Sequence, residues 1–386
     1  HAGTAITTGD DNTAIGKDAL STGTDVKRNV AIGCSALCAN TANDNIAIGV
    51  EAMKANTSGT SNTAVGRAAL LVNTTGANNI ALGRSALVKN TEGDCNTAVG
   101  GSNALACNTT GNSNTALGYS ALCANTTGTQ NVAIGVDSLK ANTTASNNVA
   151  VGDDSLVANT TGTSNIAVGQ GAMNTNTTGN CNISIGHRSM DLNTTGSRNT
   201  AVGKDAMRCN TTANDNTGFG FESLNCNSTG IHNAAVGQAL CKNTTGNCNI
   251  AMGSGALSSN TTASNNTAIG RSALSANTTG EVNSAFGAFA LRTNTTGFGN
   301  TAIGKNSLYT NNGNNNTAVG HEALELNTSG ANNVAVGRQA LEANTTGTTN
   351  VAVGYYAGLQ NTTGNCNVSL GVASNQNTST GSNNTA

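Results

Sequence analysis

The sequence predicts an all-β protein, a parallel β-solenoid (a β-roll) with coils of 17 residues. Its main support is a motif, N-x-A-x-G with Ser or Gly replacing Ala in three copies, that occurs twenty-two times, seventeen residues apart at all but four intervals. A fixed period of this kind is typical of stacked repeats. The chain also lacks the side chains of a conventional core, since aromatic residues make up 2% and Pro and Trp are absent. We expect one repeat domain over 1–386, with regular coils over 12–371 and irregular ends at 1–11 and 372–386.

The N-x-A-x-G motif is predicted to be the first strand of each coil. Counted from its glycine as position zero, position −4 is always Asn, position −2 is Ala in nineteen copies, and position −1 is always apolar. Side chains of a strand alternate between two faces. We predict that the residues at −1 and −3, such as Ile134 at −1, point into the coil. Asn, Ala and Gly then share the outer face.

The rest of each repeat is predicted to supply a second strand and a turn. A small residue followed by Leu or Met, as in Ala121-Leu122, ends the second strand, and its large side chain is expected in the interior. Asn-Thr-Thr-Gly then closes the coil as a turn. A helix is a poor alternative because Asn, Thr and Gly are weak helix formers.

The invariant Asn at position −4 predicts an asparagine ladder, in which each side-chain amide bonds to the amides of the coils above and below, as in stacked in-register strands. A polar binding row is the alternative. The regular copies that define the ladder asparagines are Asn62, Asn79, Asn96, Asn114, Asn131, Asn148 and Asn165.

The Asn of the Asn-Thr-Thr segment, which we call the turn asparagine, allows three interpretations. Asn and Thr side chains bond to their own backbone at tight turns. N-x-S/T is also an acceptor for N-linked glycans, and a row of threonines could bind ice. Asn40, Asn90 and Asn311 keep the Asn without the motif, which favours the turn. The candidate glycosylation sites are Asn56, Asn73, Asn108, Asn125, Asn142, Asn159, Asn176, Asn193, Asn210, Asn227, Asn243, Asn260, Asn277, Asn294, Asn327, Asn344, Asn361 and Asn377.

The eleven cysteines form no motif, but some are expected to stack. Cys209 and Cys226 occupy the same position in adjacent coils, and Cys107 and Cys123 are near neighbours. The spacing of stacked strands lies within the Cα range of a disulfide. These pairs are candidate disulfides, and packing as free thiols is the alternative.

Composition and spacing exclude several functions. A net charge of −2 argues against a nucleic-acid partner, and no apolar run is long enough to insert into a membrane. His187, His232 and His321 have no recurrent relation to Cys, Asp or Glu, so we expect no catalysis, metal or cofactor. Because the chain begins at His1 rather than Met, we expect a fragment or a processed product.

The repeat N-T-A-I-G-x-x-A-L-x-x-N-T-T-G-x-x resembles the shaft repeats of phage- and virus-type tail-fibre proteins. Its N-x-A-x-G part is similar to the S-V-A-I-G units in the head of trimeric autotransporter adhesins. The resemblance covers about residues 12 to 371. It implies a left-handed parallel β-roll, three chains around one axis, and a role in reaching or attaching to a surface.

The small residues at position −2 also suggest assembly, because they would let another backbone lie against an outer strand face. Our leading hypothesis is therefore a trimeric, non-enzymatic shaft outside the cell or on a virion, which holds a binding tip away from its base. A receptor or glycan would be bound by regions outside this chain. The alternatives are a filament-forming extracellular glycoprotein and a β-helix acyltransferase, which would need a catalytic histidine.

Overall fold

The computed structural model describes all residues, 1–386, and the chain divides into two compact units, His1–Ser197 and Arg198–Ala386. Each unit is a β-solenoid of parallel strands without helices. The all-β, repeat-solenoid prediction is therefore confirmed. No helix is present that could cross a membrane.

The first unit contains eleven strands, one for each copy of N-x-A-x-G. Most are three residues long and cover positions −3 to −1. They are β1 (Thr13–Ile15), β2 (Val30–Ile32), β3 (Ile46–Ile48), β4 (Thr63–Val65), β5 (Ile80–Arg84), β6 (Thr97–Ser102), β7 (Thr115–Leu117), β8 (Val132–Ile134), β9 (Val149–Val151), β10 (Ile166–Val168) and β11 (Ile183–Ile185).

The second unit repeats the same architecture with eleven further strands. These are β12 (Thr200–Val202), β13 (Thr217–Phe219), β14 (Ala234–Val236), β15 (Ile250–Met252), β16 (Thr267–Ile269), β17 (Ser284–Phe286), β18 (Thr301–Ile303), β19 (Thr317–Val319), β20 (Val334–Val336), β21 (Val351–Val353) and β22 (Val368–Leu370).

Within each unit, consecutive strands pair in parallel and in register. Ala133 of β8 lies opposite Ala150 of β9, for example, so that equivalent repeat positions stack directly. The exception is the β5–β6 pair, whose register shifts after Leu82. Val368, the first residue of β22, forms an isolated parallel bridge to Thr385. Thr385 belongs to a further copy of the motif, of which the sequence contains Asn384, Thr385 and Ala386.

The predicted second strand is wrong. The segment that carries the buried Leu is a turn, because the chain passes through left-handed conformations at Asp137 (φ 54°) and Leu139 (φ 49°). Such values bend the backbone and prevent the extended conformation of a strand. Each coil therefore has one short strand, and turns make up the rest.

The predicted facing of the strand is also wrong. Apart from Ala14 in the first coil, the alanines at position −2, including Ala133, are buried, whereas Ile134 is only partly buried. The inward-facing space is small. A Cβ added to Gly358, which stands where other coils have Leu or Met, would lie 3.7 Å from the Cβ of Ala352 at position −2 of the same coil. The core is thus a thin layer in which an Ala methyl group faces the large side chain at position +4.

The anchor glycines are required for stacking. Gly135 has φ 129°, and a Cβ added there would lie 2.5 Å from the carbonyl oxygen of Gly152 in the next coil. No side chain fits at that distance, and the φ value is one that other residues rarely adopt. The close approach is between successive coils of the same chain.

Candidate functional site

The ladder asparagines lie inside the coil and are fully buried. The Asn131 Nδ2 atom donates to the carbonyl of Ala145 at 2.8 Å and to the Asn114 Oδ1 atom at 3.1 Å. In turn, the Asn131 Oδ1 atom accepts from the backbone N–H of Asn148 at 3.0 Å. Each amide therefore joins its own coil to both neighbours.

This pattern extends over the regular copies. The backbone N–H of each of the seven ladder asparagines donates to the Oδ1 atom one coil earlier at 2.9–3.0 Å. For Asn62, Asn79, Asn96, Asn114 and Asn131, the Nδ2 atom donates to that same oxygen. An unsatisfied buried amide would cost about 1–3 kcal/mol, so these bonds make the polar interior tolerable.

The turn asparagines form a second buried ladder, which the sequence analysis did not predict. The Asn125 Nδ2 atom donates to the Gly128 carbonyl at 3.0 Å, which closes the turn, and to the Asn108 Oδ1 atom at 2.9 Å. Asn90, which lacks the N-x-S/T motif, makes the same kind of bond to the Asn73 Oδ1 atom at 2.8 Å. One feature of the sequence does indicate this ladder: Asn40, Asn90 and Asn311 are still Asn in repeats that lack the N-x-S/T motif.

This geometry bears directly on glycosylation. A glycan is attached to Nδ2, and it is a bulky group that must lie on the surface. Seventeen of the eighteen candidate asparagines are buried in the coil, and only the side chain of Asn377 is exposed. The folded coil therefore has no space for a sugar at the other seventeen positions.

The threonines beside the turn asparagine serve different purposes. The first of each pair supports stacking, as the Thr126 Oγ1 atom does by donating to the Thr143 carbonyl of the next coil at 3.1 Å. The second, Thr127 in the same turn, is exposed. Turn formation thus uses the Asn and the first Thr, and the second Thr is free for contacts outside the coil.

The most extensive surface feature is an apolar strip on the outer face of the strands, which we call the strand face. It is formed by the residues at position −1, with Ile residues at −3 beside them. Its exposed members in the first unit are Ile15, Ile46, Ile48, Val65, Ile80, Leu117, Ile166, Ile183 and Ile185. In the second unit they are Phe219, Val236, Ile250, Met252, Phe286, Ile303, Val336, Val353 and Leu370.

The cysteines are all free thiols. The Cys107 N–H donates to the Cys123 carbonyl at 3.0 Å, so these two residues lie in adjacent coils side by side. Burial, and secondarily the Cys209 thiol, raises the pKa of Cys226. Burial likewise raises the pKa of Cys123, with a smaller contribution from Cys107. Disulfide formation in either pair stays a prediction.

The titratable side chains gather in two places that the sequence analysis did not identify. His187 lines an open depression of about 300 Å³ together with Asp154, Gln170, Arg188 and Asp191. Elsewhere, the carboxylates of Glu322, Glu325 and Glu342 have oxygen atoms within 4.8 Å of one another. Burial raises the pKa of Glu342, and the charge of Glu322 adds to this effect.

The acidic cluster arises because coils stack. Glu322 and Glu325 lie three residues apart in one coil, and Glu342 stands at the position of Glu325 in the next coil. Placing the repeats one above another would have predicted this proximity. Carboxylate oxygens suit hard cations, but partly exposed acidic groups are also common without a metal.

No family model matches the chain, and no curated protein is significantly similar to it. Because a repeat fold can support many functions, the surfaces described above must carry any functional conclusion.

Proposed function

We propose that this chain is the shaft of a fibre found outside the cell or on a virion. In this proposal, three copies associate through their strand faces, and the assembly holds a binding tip, located in other regions of the protein, away from its base. The chain itself performs no catalysis. The observation that carries the proposal is the strand face, an apolar surface that recurs along both units.

The regular bonding between adjacent coils supports this role. Each coil satisfies its buried amides through bonds to its immediate neighbours, as Asn131 does with Asn114 and Asn148. Stability in such an array is a sum over coils and their interfaces. The number of coils can therefore change without altering the fold, which suits a spacer.

The strand face supports association between copies. Leu117 is 46% exposed although it is a large apolar side chain in the middle of a regular sheet. A continuous apolar patch on a protein surface usually marks an interaction site. Copies related by a rotation axis would bury equivalent residues of each strand face against one another. The resemblance to fibre shafts favours three copies.

The residues that carry the trimer proposal thus differ from those that first suggested it. The alanines at position −2 are buried inside their own coil and cannot contact another chain. The residues at positions −1 and −3 take that role.

Removing whole coils tests the proposal. Deletion of 119–186 removes four repeats between Gly118 and His187 and keeps the repeat in phase. We expect the shortened protein to fold. The distance between two spin labels placed on either side of the deletion, both within the first unit, should fall by about 19 Å, since stacked strands lie about 4.8 Å apart.

Deletion of 119–177 is the matched control, because it removes a fractional number of coils and places Leu and Asn positions out of register. It should be less stable to urea than the in-phase deletion, because the coils on the two sides of the junction cannot stack in register. An in-phase deletion that unfolds the protein, or that leaves the distance between the labels unchanged, would contradict the shaft function.

A further inference from the structure

One corner of the second unit carries a stack of alternating cationic and aromatic side chains. The guanidinium of Arg271 lies 4.5 Å from the ring centre of Phe289, and that of Arg292 lies 5.1 Å from the same ring. Arg292 also lies 5.5 Å from the ring centre of Tyr309 and donates a hydrogen bond to its hydroxyl. The two rings hold the Arg292 side chain in one orientation, although Arg292 itself is exposed.

The positive charge of this corner has no carboxylate partner. Neither Arg271 nor Arg292 forms an ion pair, unlike Arg28, which pairs with Asp44 at 2.6 Å. Lys305 adds a third cation one coil further on. Between Gly253 and Thr310 the only acidic residue is Glu281, and the cluster of Glu322, Glu325 and Glu342 begins in the coil that follows Lys305. The charge is thus locally concentrated and available for a ligand.

An open depression with hydroxyl groups in its lining adjoins the stack. It has a volume of about 480 Å³ and crosses three coils, and it is lined by Ser258, Ser259, Ser275, Ala276, Arg292 and Thr293. The Ser258 hydroxyl donates to the Ser275 carbonyl at 3.3 Å, and the Ser275 hydroxyl donates to the Arg292 carbonyl at 3.3 Å. Their oxygen lone pairs can still accept hydrogen bonds from a ligand.

We propose that this corner binds an acidic polysaccharide, one that carries carboxylate or sulfate groups. The guanidinium of Arg292 offers the planar fork that binds such oxyanions through two parallel hydrogen bonds. Phe289 and Tyr309 fix that fork before the ligand arrives, which lowers the entropy cost of binding. The serine row accepts sugar hydroxyls along the depression, and Arg271 and Lys305 attract further anionic units.

The aromatic rings distinguish a saccharide from a single-stranded nucleic acid. Nucleic acids bind such surfaces by stacking bases on free aromatic faces. Phe289 and Tyr309 are half-buried and already paired with guanidinium groups. The accessible groups are the guanidinium of Arg292 and the hydroxyls of Ser258 and Ser275. These groups suit an anion that is rich in hydroxyl groups. This proposal does not depend on the shaft function, since it concerns a local site on the chain itself.

Isothermal titration of the full chain with an oligogalacturonate and with a heparin oligosaccharide tests the proposal. We expect at least one of them to bind, and neutral dextran not to bind. Whichever binds identifies the anion as carboxylate or sulfate. The substitution Arg292→Ala should weaken binding by about tenfold, the usual effect of losing charged hydrogen bonds.

Two further variants make the result specific. Arg292→Lys keeps the charge but loses the fork, and it should also weaken binding. Arg84→Ala removes one exposed cation elsewhere on the chain, and it should bind like the wild type. The proposal is overturned if neither saccharide binds, if Arg292→Ala and Arg84→Ala behave alike, or if oligothymidylate binds more tightly than both saccharides.

Discussion

Asn131 donates two hydrogen bonds to a single side-chain oxygen of Asn114 in the preceding coil. The Asn114 Oδ1 atom accepts from both the backbone N–H and the Nδ2 atom of Asn131, at 3.0 and 3.1 Å. This bond recurs from coil to coil and places a hydrogen-bonded polar column inside a body that has few large apolar side chains. The coil is therefore stabilised by buried amides as well as by its thin layer of Ala and Leu.

Removing one ladder amide should be costly. The substitution Asn131→Ala leaves the Asn148 N–H without a partner in the interior, at about 1–3 kcal/mol. It also opens a cavity and removes one of the two side-chain amides that donate to the Ala145 carbonyl, the other being that of Asn142. We expect a loss of several kcal/mol in the free energy of unfolding, measured by urea denaturation. Asn174→Ala is the control, because the Asn174 side chain is partly exposed, and it should change stability by less than about 0.5 kcal/mol. Equal effects of the two changes would contradict a structural ladder.

The interior should not accept a larger side chain at position −2. Ala133 is fully buried, so Ala133→Leu overpacks the coil and should cost about 1–3 kcal/mol. Ala141→Leu is a matched control, since Leu192 and Leu326 occupy the equivalent position in other coils. Thermal unfolding of both variants checks the facing of the strand. A destabilised Ala141→Leu with an unaffected Ala133→Leu would show that this facing is incorrect.

The position and period of the strands could be predicted from the sequence, but their facing could not. Alternation separates Ala133 from Val132 and Ile134 without indicating which set points inward. Large apolar residues usually do. Here the turn residue Leu139 fills most of the narrow interior, and only a methyl group fits opposite it. The left-handed conformation of Leu139 also prevents the second strand. Such a conformation is hard to predict from the sequence when the residue is not a glycine.

The candidate sites were predictable where they depend on stacking alone. The ladder asparagines and the neighbouring cysteines follow from the period. The Arg292–Tyr309 contact depends on side-chain orientations at a coil corner, which a repeat pattern does not specify. The second amide ladder was hidden because Asn-Thr-Thr is also a glycan acceptor, and the sequence does not tell how deeply Asn125 is buried.

The buried turn asparagines should carry no glycans in the folded protein. When the chain is secreted from a glycosylating host, glycopeptide mapping should find glycans only at exposed acceptor motifs, namely Asn265, Asn315, Asn377 and Asn383, and none at the buried turn asparagines. The reason is that Nδ2 atoms such as that of Asn125 are bonded inside the coil. Glycans at several of the buried turn asparagines of a folded, soluble protein would be inconsistent with this geometry.

Thiol reactivity should follow burial and pKa. The exposed cysteines should be alkylated first by iodoacetamide near neutral pH, and these are Cys34, Cys95, Cys181, Cys248 and Cys366. Burial raises the pKa of Cys226 and of Cys241, so less of each thiol is the reactive thiolate at a given pH. Their labelling rates should continue to rise as the pH becomes more alkaline. Peptide mapping checks the order, and a Cys226 that reacts as fast as Cys248 at neutral pH would disagree with it.

The central claim is that copies of this chain associate through the strand face, and sedimentation equilibrium tests it most directly. The wild-type protein should have about three times the chain mass of 38.1 kDa, roughly 114 kDa. Leu117→Asp combined with Ile185→Asp places charges on the strand face and should shift the mass towards that of one chain. Val136→Asp is the control, because Val136 is 48% exposed, close to the 46% of Leu117, but lies outside the strand face. That variant should remain trimeric. A wild-type mass of one chain, or a trimer that persists with both aspartates, would contradict the account.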